Sequence, residues 1–286
     1  MRNLVRTLWG VVVCFWVCSL SAATAVVSVP PYRPIVEALL GEDAKVDVLL
    51  PPGQSCETYQ PRPSQLSGLA RADLVVLAGV DYEQAWRRRL GQLAPKAVVV
   101  DLKEDDHAHH DHDHAHDHHD HAPHQWTSPA KVLAQVDALE AGVKQLPGID
   151  AAAVAERAEA LRERLRALQT QIETLLAPYD GRLMLSYHPA FDPLGDEVGF
   201  RTLSIESGAA MPSPSRLREI IQTARQAGVT TVYVQPQDPK TAAQRVAQAL
   251  GGQLVTIDPL EEDYFANLLA IAEQLATNWK AEHVAE

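Results

Sequence analysis

Cysteine is almost absent. The 286-residue chain carries three, Cys14, Cys18 and Cys56, and the first two fall in an N-terminal segment that reads as removable. A single remaining cysteine makes no internal disulfide, so the processed chain must be held by its core. Basic residues are scarce beside acidic ones, 25 Lys and Arg against 37 Asp and Glu, for a formal net charge of -12 with histidine neutral. That balance lacks the basic face a nucleic-acid partner requires, and none is expected. The longest apolar run, Leu8 to Leu20, falls short of the roughly 20 residues of a membrane-spanning helix. An HExxH helix and a nucleophile motif are both missing, so the residues give no start to an enzymatic reading.

The length favours two modest domains over one core. Hydrophobic residues at 46% and charged residues at 22% are those of a globular protein. Arg2 and Arg6 precede the apolar run, and the small residues Ser21, Ala22, Ala23, Thr24 and Ala25 follow it. This is the order of a secretory signal over residues 1–25, cleaved after Ala23 or Ala25, which predicts export to the periplasm.

Short apolar runs then alternate with helical patterns. Val26–Val29, Val46–Leu50, Leu74–Ala78 and Val98–Leu102 read as buried strands, with helices over Pro34–Leu40, Pro63–Arg71 and Tyr82–Leu90. A second series follows, with strands at Leu183–Tyr187, Thr202–Ile205, Thr231–Gln235 and Leu254–Asp258 and helices at Ser215–Ala227, Ala242–Leu250 and Phe265–Trp279. Such alternation implies mostly parallel sheets covered on both faces. Between the series, Ala151 to Leu176 contains neither Pro nor Gly, and Leu161, Leu165, Leu168, Ile172 and Leu175 form one apolar stripe. The fold class is therefore α/β, two Rossmann-like lobes joined by one long rigid helix. The lobes are expected at 26–148 and 179–286, with the connecting helix at 149–178. Ligands of parallel sheets bind beyond the carboxyl ends of the strands, which predicts a site between the lobes.

Ten of the 12 histidines lie between His107 and His124, most within a run at 105–121 built almost wholly of His, Asp and Ala. His107, His109, His110, His112, His114, His116, His118, His119 and His121 form a low-affinity metal collector or sensor, since imidazole and carboxylate suit borderline cations and the run lacks apolar residues to fold. A tight site needs isolated ligands on rigid elements. Three candidates sit in loops able to face the seam: His124 before a helix, His188 directly after a strand, and Asp258 at a strand end.

Several segments together carry a resemblance. They are Leu50-Pro51-Pro52-Gly53, Tyr59-Gln60-Pro61-Arg62-Pro63, Pro123-His124-Gln125-Trp126, Tyr187-His188-Pro189-Ala190-Phe191, Ile205-Glu206 with Pro212-Ser213-Pro214, Val234-Gln235-Pro236-Gln237 and Ile257-Asp258-Pro259-Leu260. In this order they resemble the ZnuA/TroA-type metal receptors of ABC importers, and the acidic His-rich run is similar to that of the zinc branch. The resemblance implies a monomeric periplasmic receptor that binds Zn2+, or less favourably Mn2+ or iron, between its lobes. Its implied partners are a membrane permease and periplasmic metallochaperones. The implied ligands are His124, His188 and Asp258. One departure stands out: where the family usually reads Pro-His in the first binding loop, this chain reads Cys56-Glu57. Glu57 through oxygen, Cys56 as thiolate in its place, or water completes the site. Two imidazoles with the carboxylates of Glu57 and Asp258 would cancel a divalent charge. Glu206 is expected behind the ligands. A secreted zinc hydrolase and a stand-alone metal chaperone are the readings outside this class.

Overall fold

The computed structural model describes residues 23–103, 124–206 and 212–284. Residues 1–22 of the expected signal and the His-rich run at 105–121 lie outside them.

Two four-stranded sheets of the same topology make up the molecule. The first holds β1 (Thr24–Val27), β2 (Lys45–Val48), β3 (Leu74–Leu77) and β4 (Val98–Asp101) in the order β2-β1-β3-β4. The second holds β5 (Leu183–Ser186), β6 (Arg201–Ser204), β7 (Thr231–Val234) and β8 (Gln253–Thr256) in the order β6-β5-β7-β8. Every pairing is parallel. In both sheets the strand order reverses beside the first strand, and a crevice opens there at the carboxyl edge.

Helices complete each unit. The first lobe has α1 (Tyr32–Leu40), α2 (Pro63–Gly68), α3 (Gln84–Arg87), α4 (Leu90–Leu93) and α5 (Pro129–Lys144). The long helix α6 (Ala151–Leu176) follows, then α7 (Asp192–Val198), α8 (Pro214–Gln226), α9 (Lys240–Leu250) and α10 (Tyr264–Val284). The 26 residues of α6 extend about 39 Å at 1.5 Å per residue. Asp150 caps its start, accepting from the amides of Ala152 at 2.9 Å and Ala153 at 3.3 Å. Its stripe, Leu161, Leu165, Leu168 and Ile172, is buried where α6 packs on α1, α5 and α10, and it ends on Leu176 and not on the expected Leu175, which is half-buried.

The core explains why this helix joins the lobes stiffly. One cluster runs from β1 and β3 through α1, α5 and α6 to Met184, Phe191, Leu194, Tyr233 and Leu275 of the second lobe. Side chains alternate across a strand. Leu183 and Leu185 of β5 and Val232 and Val234 of β7 therefore face the other way, into a separate cluster under α8 and α9. The inner face of the second sheet thus shares its core with the connecting helix. Arg164 of α6 also lies 3.6 Å from the Phe265 ring centroid of α10, a cation–π tie across the same joint.

Most boundaries shift by a few residues from the sequence reading, and three differences matter here. The strands at 26, 46, 202 and 254 begin one or two residues earlier and end sooner, so their expected last residues form the loops that bear the site. The expected helix Tyr82–Leu90 is a 3-10 turn followed by the separate short helices α3 and α4. Glu83 causes the break. Its carboxylate turns inward, fully buried, to accept from the amides of Ala78 at 2.9 Å and Gly79 at 3.1 Å, and burial raises its pKa. Finally, α7 was not expected. Its Pro193 occupies the first turn, where proline is tolerated, and its Gly195 packs so tightly that a Cβ would lie 2.8 Å from the Phe200 carbonyl oxygen.

Candidate metal centre

Four loops meet at the seam. The loop after β2 brings Cys56 and Glu57, the turn before α5 brings His124, the loop after β5 brings His188, and the end of β6 brings Glu206. His124 is 2% exposed, and its backbone carbonyl accepts the amide of Thr127 at 3.0 Å, starting the 3-10 turn Gln125–Thr127. The Trp126 ring stands edge-on to its imidazole, 5.2 Å between centroids. His188 is fixed through its backbone, where Ser186 Oγ donates to the carbonyl at 2.9 Å, and through its ring, where Nδ1 lies 2.9 Å from Glu206 Oε2. A carboxylate on Nδ1 sets the ring so that Nε2 points away as a ligand.

The donor atoms converge. His188 Nε2 lies 3.2 Å from His124 Nε2 and 2.9 Å from Glu57 Oε1, and His124 Nε2 lies 3.0 Å from the same oxygen. Cys56 Sγ, 2% exposed as a residue, lies 3.2 Å from Glu57 Oε1 and 3.6 Å from His124 Nε2. Ser55 Oγ holds the other Glu57 oxygen and accepts the Glu57 amide at 3.2 Å. Each ring nitrogen faces the other as well as the carboxylate. Protons alone leave like groups face to face in such a set, whereas one cation in their midst satisfies all of them.

The titration behaviour follows from this crowding. Burial by itself would lower the His188 pKa, but the carboxylates of Glu206 and Glu57 outweigh it and push it up to about 10. Burial lowers that of His124 and prevails over its hydrogen bond with Glu57. Glu57 would be raised by burial, yet hydrogen bonds from both imidazoles hold its carboxyl well below the usual range. Burial pushes the Cys56 thiol up, and the Glu57 charge adds to that.

Asp258 stands apart from this group. Its Oδ1 accepts the amide of Leu260 at 2.9 Å, its backbone carbonyl accepts from Asn267 Nδ2 at 2.8 Å, and burial raises its pKa. Cys56, Glu57 and His124 offer donor atoms all within 4.8 Å of one another, and His188 Nε2 adjoins two of them, Glu57 and His124. The loop of Asp258 still belongs to the seam, because Trp126 Nε1 donates to the Pro259 carbonyl at 2.8 Å. Two supporting residues escaped the sequence reading. Ser55 is one. Asp238 is the other: its Oδ2 accepts the Gln235 amide at 2.7 Å, burial raises it to about 6, and it feels the charges of His188, Glu206 and Glu57. It directly follows the Gln235-Pro236-Gln237 segment, which was the one available signal. His107 to His121 lie outside the described residues. His283 is exposed on α10, and Arg87 of α3 pairs with Asp101 at the end of β4.

Two like lobes about one long helix, with imidazoles from both meeting a carboxylate at the seam, define a solute-binding protein whose solute is a metal cation. A family model described as the zinc-uptake complex component A, periplasmic (ZnuA), matches residues 25–278, and the chain belongs to that family. It is similar to the high-affinity zinc uptake system protein ZnuA of Yersinia pestis, 25% identical with 88% of this chain and 89% of that protein covered. It is also similar to the iron-binding protein YfeA of Yersinia pestis, 21% identical over 77% and 71%. A crystal structure of ZnuA superposes with a TM-score of 0.81 at 25% identity, covering 90% of this chain and 99% of that one. The protein is thus a metal-binding receptor, a member of a family of uptake components and not of enzymes.

Proposed function

We propose that the protein is a periplasmic receptor that captures Zn2+ with high affinity and passes it to the permease of an ABC-type importer, working as a monomer. The observation that carries this is the convergence of His124 Nε2, His188 Nε2 and Glu57 Oε1 within 3.2 Å of one another from opposite sides of the seam. The remaining donor is either Asp258, which the family pattern offers from the second lobe, or the Cys56 thiolate. Two imidazoles favour zinc over manganese, as does the general order of divalent affinities. The His-rich run, 105–121, serves as a weak collector ahead of the tight site, and any metallochaperone would deliver there. The leader is removed after Ala23: cleavage after Ala25 would take two residues of β1, where Ala25 is fully buried between Val46 and Leu74.

Chelator-competition titrations of the processed protein with Zn2+, Mn2+ and Fe2+ test the reading. Zinc is expected to bind at least ~100-fold tighter than manganese, following the affinity order of these cations. His188→Ala should weaken zinc binding by ~100-fold or more, on the scale of losing a first-sphere donor. Tighter manganese or iron binding would move the protein to the other cargo of its family. Deleting 105–121 should leave the tight site intact. If tight binding disappears with that run, the seam is the wrong location and a stand-alone chaperone the better account.

A further inference from the structure

The geometry points to Cys56 as a fourth metal donor, bound together with Glu57 and not in its place, so that the receptor holds its cargo through one thiolate, one carboxylate and two imidazoles. This rests on the metal-receptor reading above and specifies what completes the site.

The argument is one of donor spacing. Zinc bonds of about 2.0 Å to nitrogen and about 2.3 Å to sulfur, at tetrahedral angles, separate two nitrogens by about 3.3 Å and a sulfur from a nitrogen by about 3.5 Å. His124 Nε2 and His188 Nε2 are 3.2 Å apart, and Cys56 Sγ and His124 Nε2 are 3.6 Å apart. The distances from Glu57 Oε1 to Sγ, His124 Nε2 and His188 Nε2 are 3.2, 3.0 and 2.9 Å, about 0.3–0.4 Å short of the same figure, as hydrogen bonds that a cation would replace. Sγ and His188 Nε2 each pair with the Glu57–His124 edge, but His188 is not among the donors that lie within 4.8 Å of one another with Cys56. Closing the fourth position therefore requires the Cys56 side chain to change rotamer as the cation enters.

Asp258 meets none of these conditions. Its Oδ1 is engaged by the Leu260 amide, and its hydrogen bonds run to Leu260 and Asn267 and not to the other donors. Charge permits the same choice. A thiolate and the Glu57 carboxylate neutralise a divalent cation beside two neutral imidazoles, without a further acid. On metal arrival the Cys56 S–H bond breaks, its proton passes to solvent and the sulfur electron pair forms the bond to the cation, with no change of oxidation state. A sulfur donor selects borderline and soft cations such as zinc and cadmium and discriminates against manganese. The Cys-Glu pair therefore acts as a selectivity determinant in a loop where the family ordinarily reads Pro-His.

Cobalt(II) substitution of the processed full-length protein tests this. Loaded wild type should show both the visible d–d bands of a four-coordinate site and a sulfur-to-cobalt charge-transfer band in the near ultraviolet. Cys56→Ser and Cys56→Ala should lose the charge-transfer band, keep Mn2+ affinity within about threefold and weaken Zn2+ and Cd2+ by ~10-fold or more, as expected for removal of the one soft donor. Asp258→Asn should retain the band and bind zinc within about threefold of wild type. Cobalt bound tightly by wild type without the charge-transfer band would overturn the thiolate assignment while leaving the receptor reading in place. So would loss of binding in Asp258→Asn with Cys56→Ala unaffected. Failure of wild type to bind zinc or cobalt tightly would instead overturn the receptor reading itself. The band is measured on wild type, so the test does not depend on a variant folding.

Discussion

His188 shows how single residues divide the work of binding and release. Its ring lies between two carboxylates, Glu206 on Nδ1 and Glu57 on Nε2, which together hold it protonated to about pH 10. Without metal, that imidazolium occupies the space a cation would fill. Because the folded pKa lies above the ordinary value of about 6.5, the proton stabilises the metal-free protein fully below that value, and the contribution is lost as pH rises through about 10. Metal must displace the proton. Loading at pH 7 should therefore release at least one proton, and affinity should climb about tenfold or more per pH unit up to roughly pH 10. Calorimetry in buffers of different ionisation enthalpy counts the protons, and a count of zero would contradict an imidazolium at His188. Glu206→Gln should reduce the count at pH 8 by removing one of the two carboxylates. At this scale residue type and loop position singled out His124, His188 and Asp258, whereas Glu57 and Cys56 came into view only through the family resemblance, and Asp258 stands apart from the other four. Ser55 and Asp238 could not be picked out, because they act by holding a neighbouring carboxylate or amide, and such roles depend on where the chain turns.

Among the elements, α6 carries the clearest signal and the largest mechanical burden. A 26-residue segment without Pro or Gly and with one apolar stripe has few alternatives to a helix, and its register decides what it can join. Leu165 is fully buried in the cluster that α6 shares with both lobes. Leu165→Ala should cost about 2–5 kcal/mol, the range for deleting a buried leucine side chain. Since the core is continuous across the joint, the loss should appear as one shifted unfolding transition in scanning calorimetry. Two separate transitions, with one lobe unmoved, would show that the lobes do not share a core. The central strands β1, β3, β5 and β7 were legible for a similar reason, as their runs of Val and Leu fit strands buried on both faces. The edge strands β2, β4, β6 and β8 are partly exposed and not the buried strands expected at 46–50 and 98–102. The irregular stretch from Asp81 to Leu93 was not, because its course is fixed by two buried groups, Glu83 on the Ala78 and Gly79 amides and Tyr82 Oη donating to the Ser28 carbonyl at 2.6 Å. Ala78, Gly79 and Ser28 lie in the loops just past β3 and β1, and no hydrophobic periodicity reveals such loop contacts.

For the molecule as a whole, the question is how far the lobes move when the metal enters. Three ties cross the seam beside the site: Trp126 Nε1 to the Pro259 carbonyl at 2.8 Å, Thr127 Oγ1 to the Ala190 carbonyl at 3.1 Å, and the Glu197 carboxylate, held by Ser128 Oγ, near the amide of Ala130 at 3.3 Å. Behind them lie the shared core and the Arg164–Phe265 contact. A hinge would have to open a packed interior and strand buried polar groups, each costing about 1–3 kcal/mol when left unpaired. Neighbouring donor atoms already lie within 3.6 Å of one another, so closure has little left to bring together. Loading should therefore change the loops at 55–57, 124–127 and 188–190 by small amounts and leave the relation between the sheets nearly unchanged. Crystal structures with and without zinc, superposed on the first sheet, would measure it. A lobe rotation of tens of degrees on loading would mean that these ties break in the working cycle. Release to a permease would then be a matter of prising the lobes apart, whereas a stiff joint assigns release to local displacement of the Cys56–Glu57 loop and to reprotonation of His188.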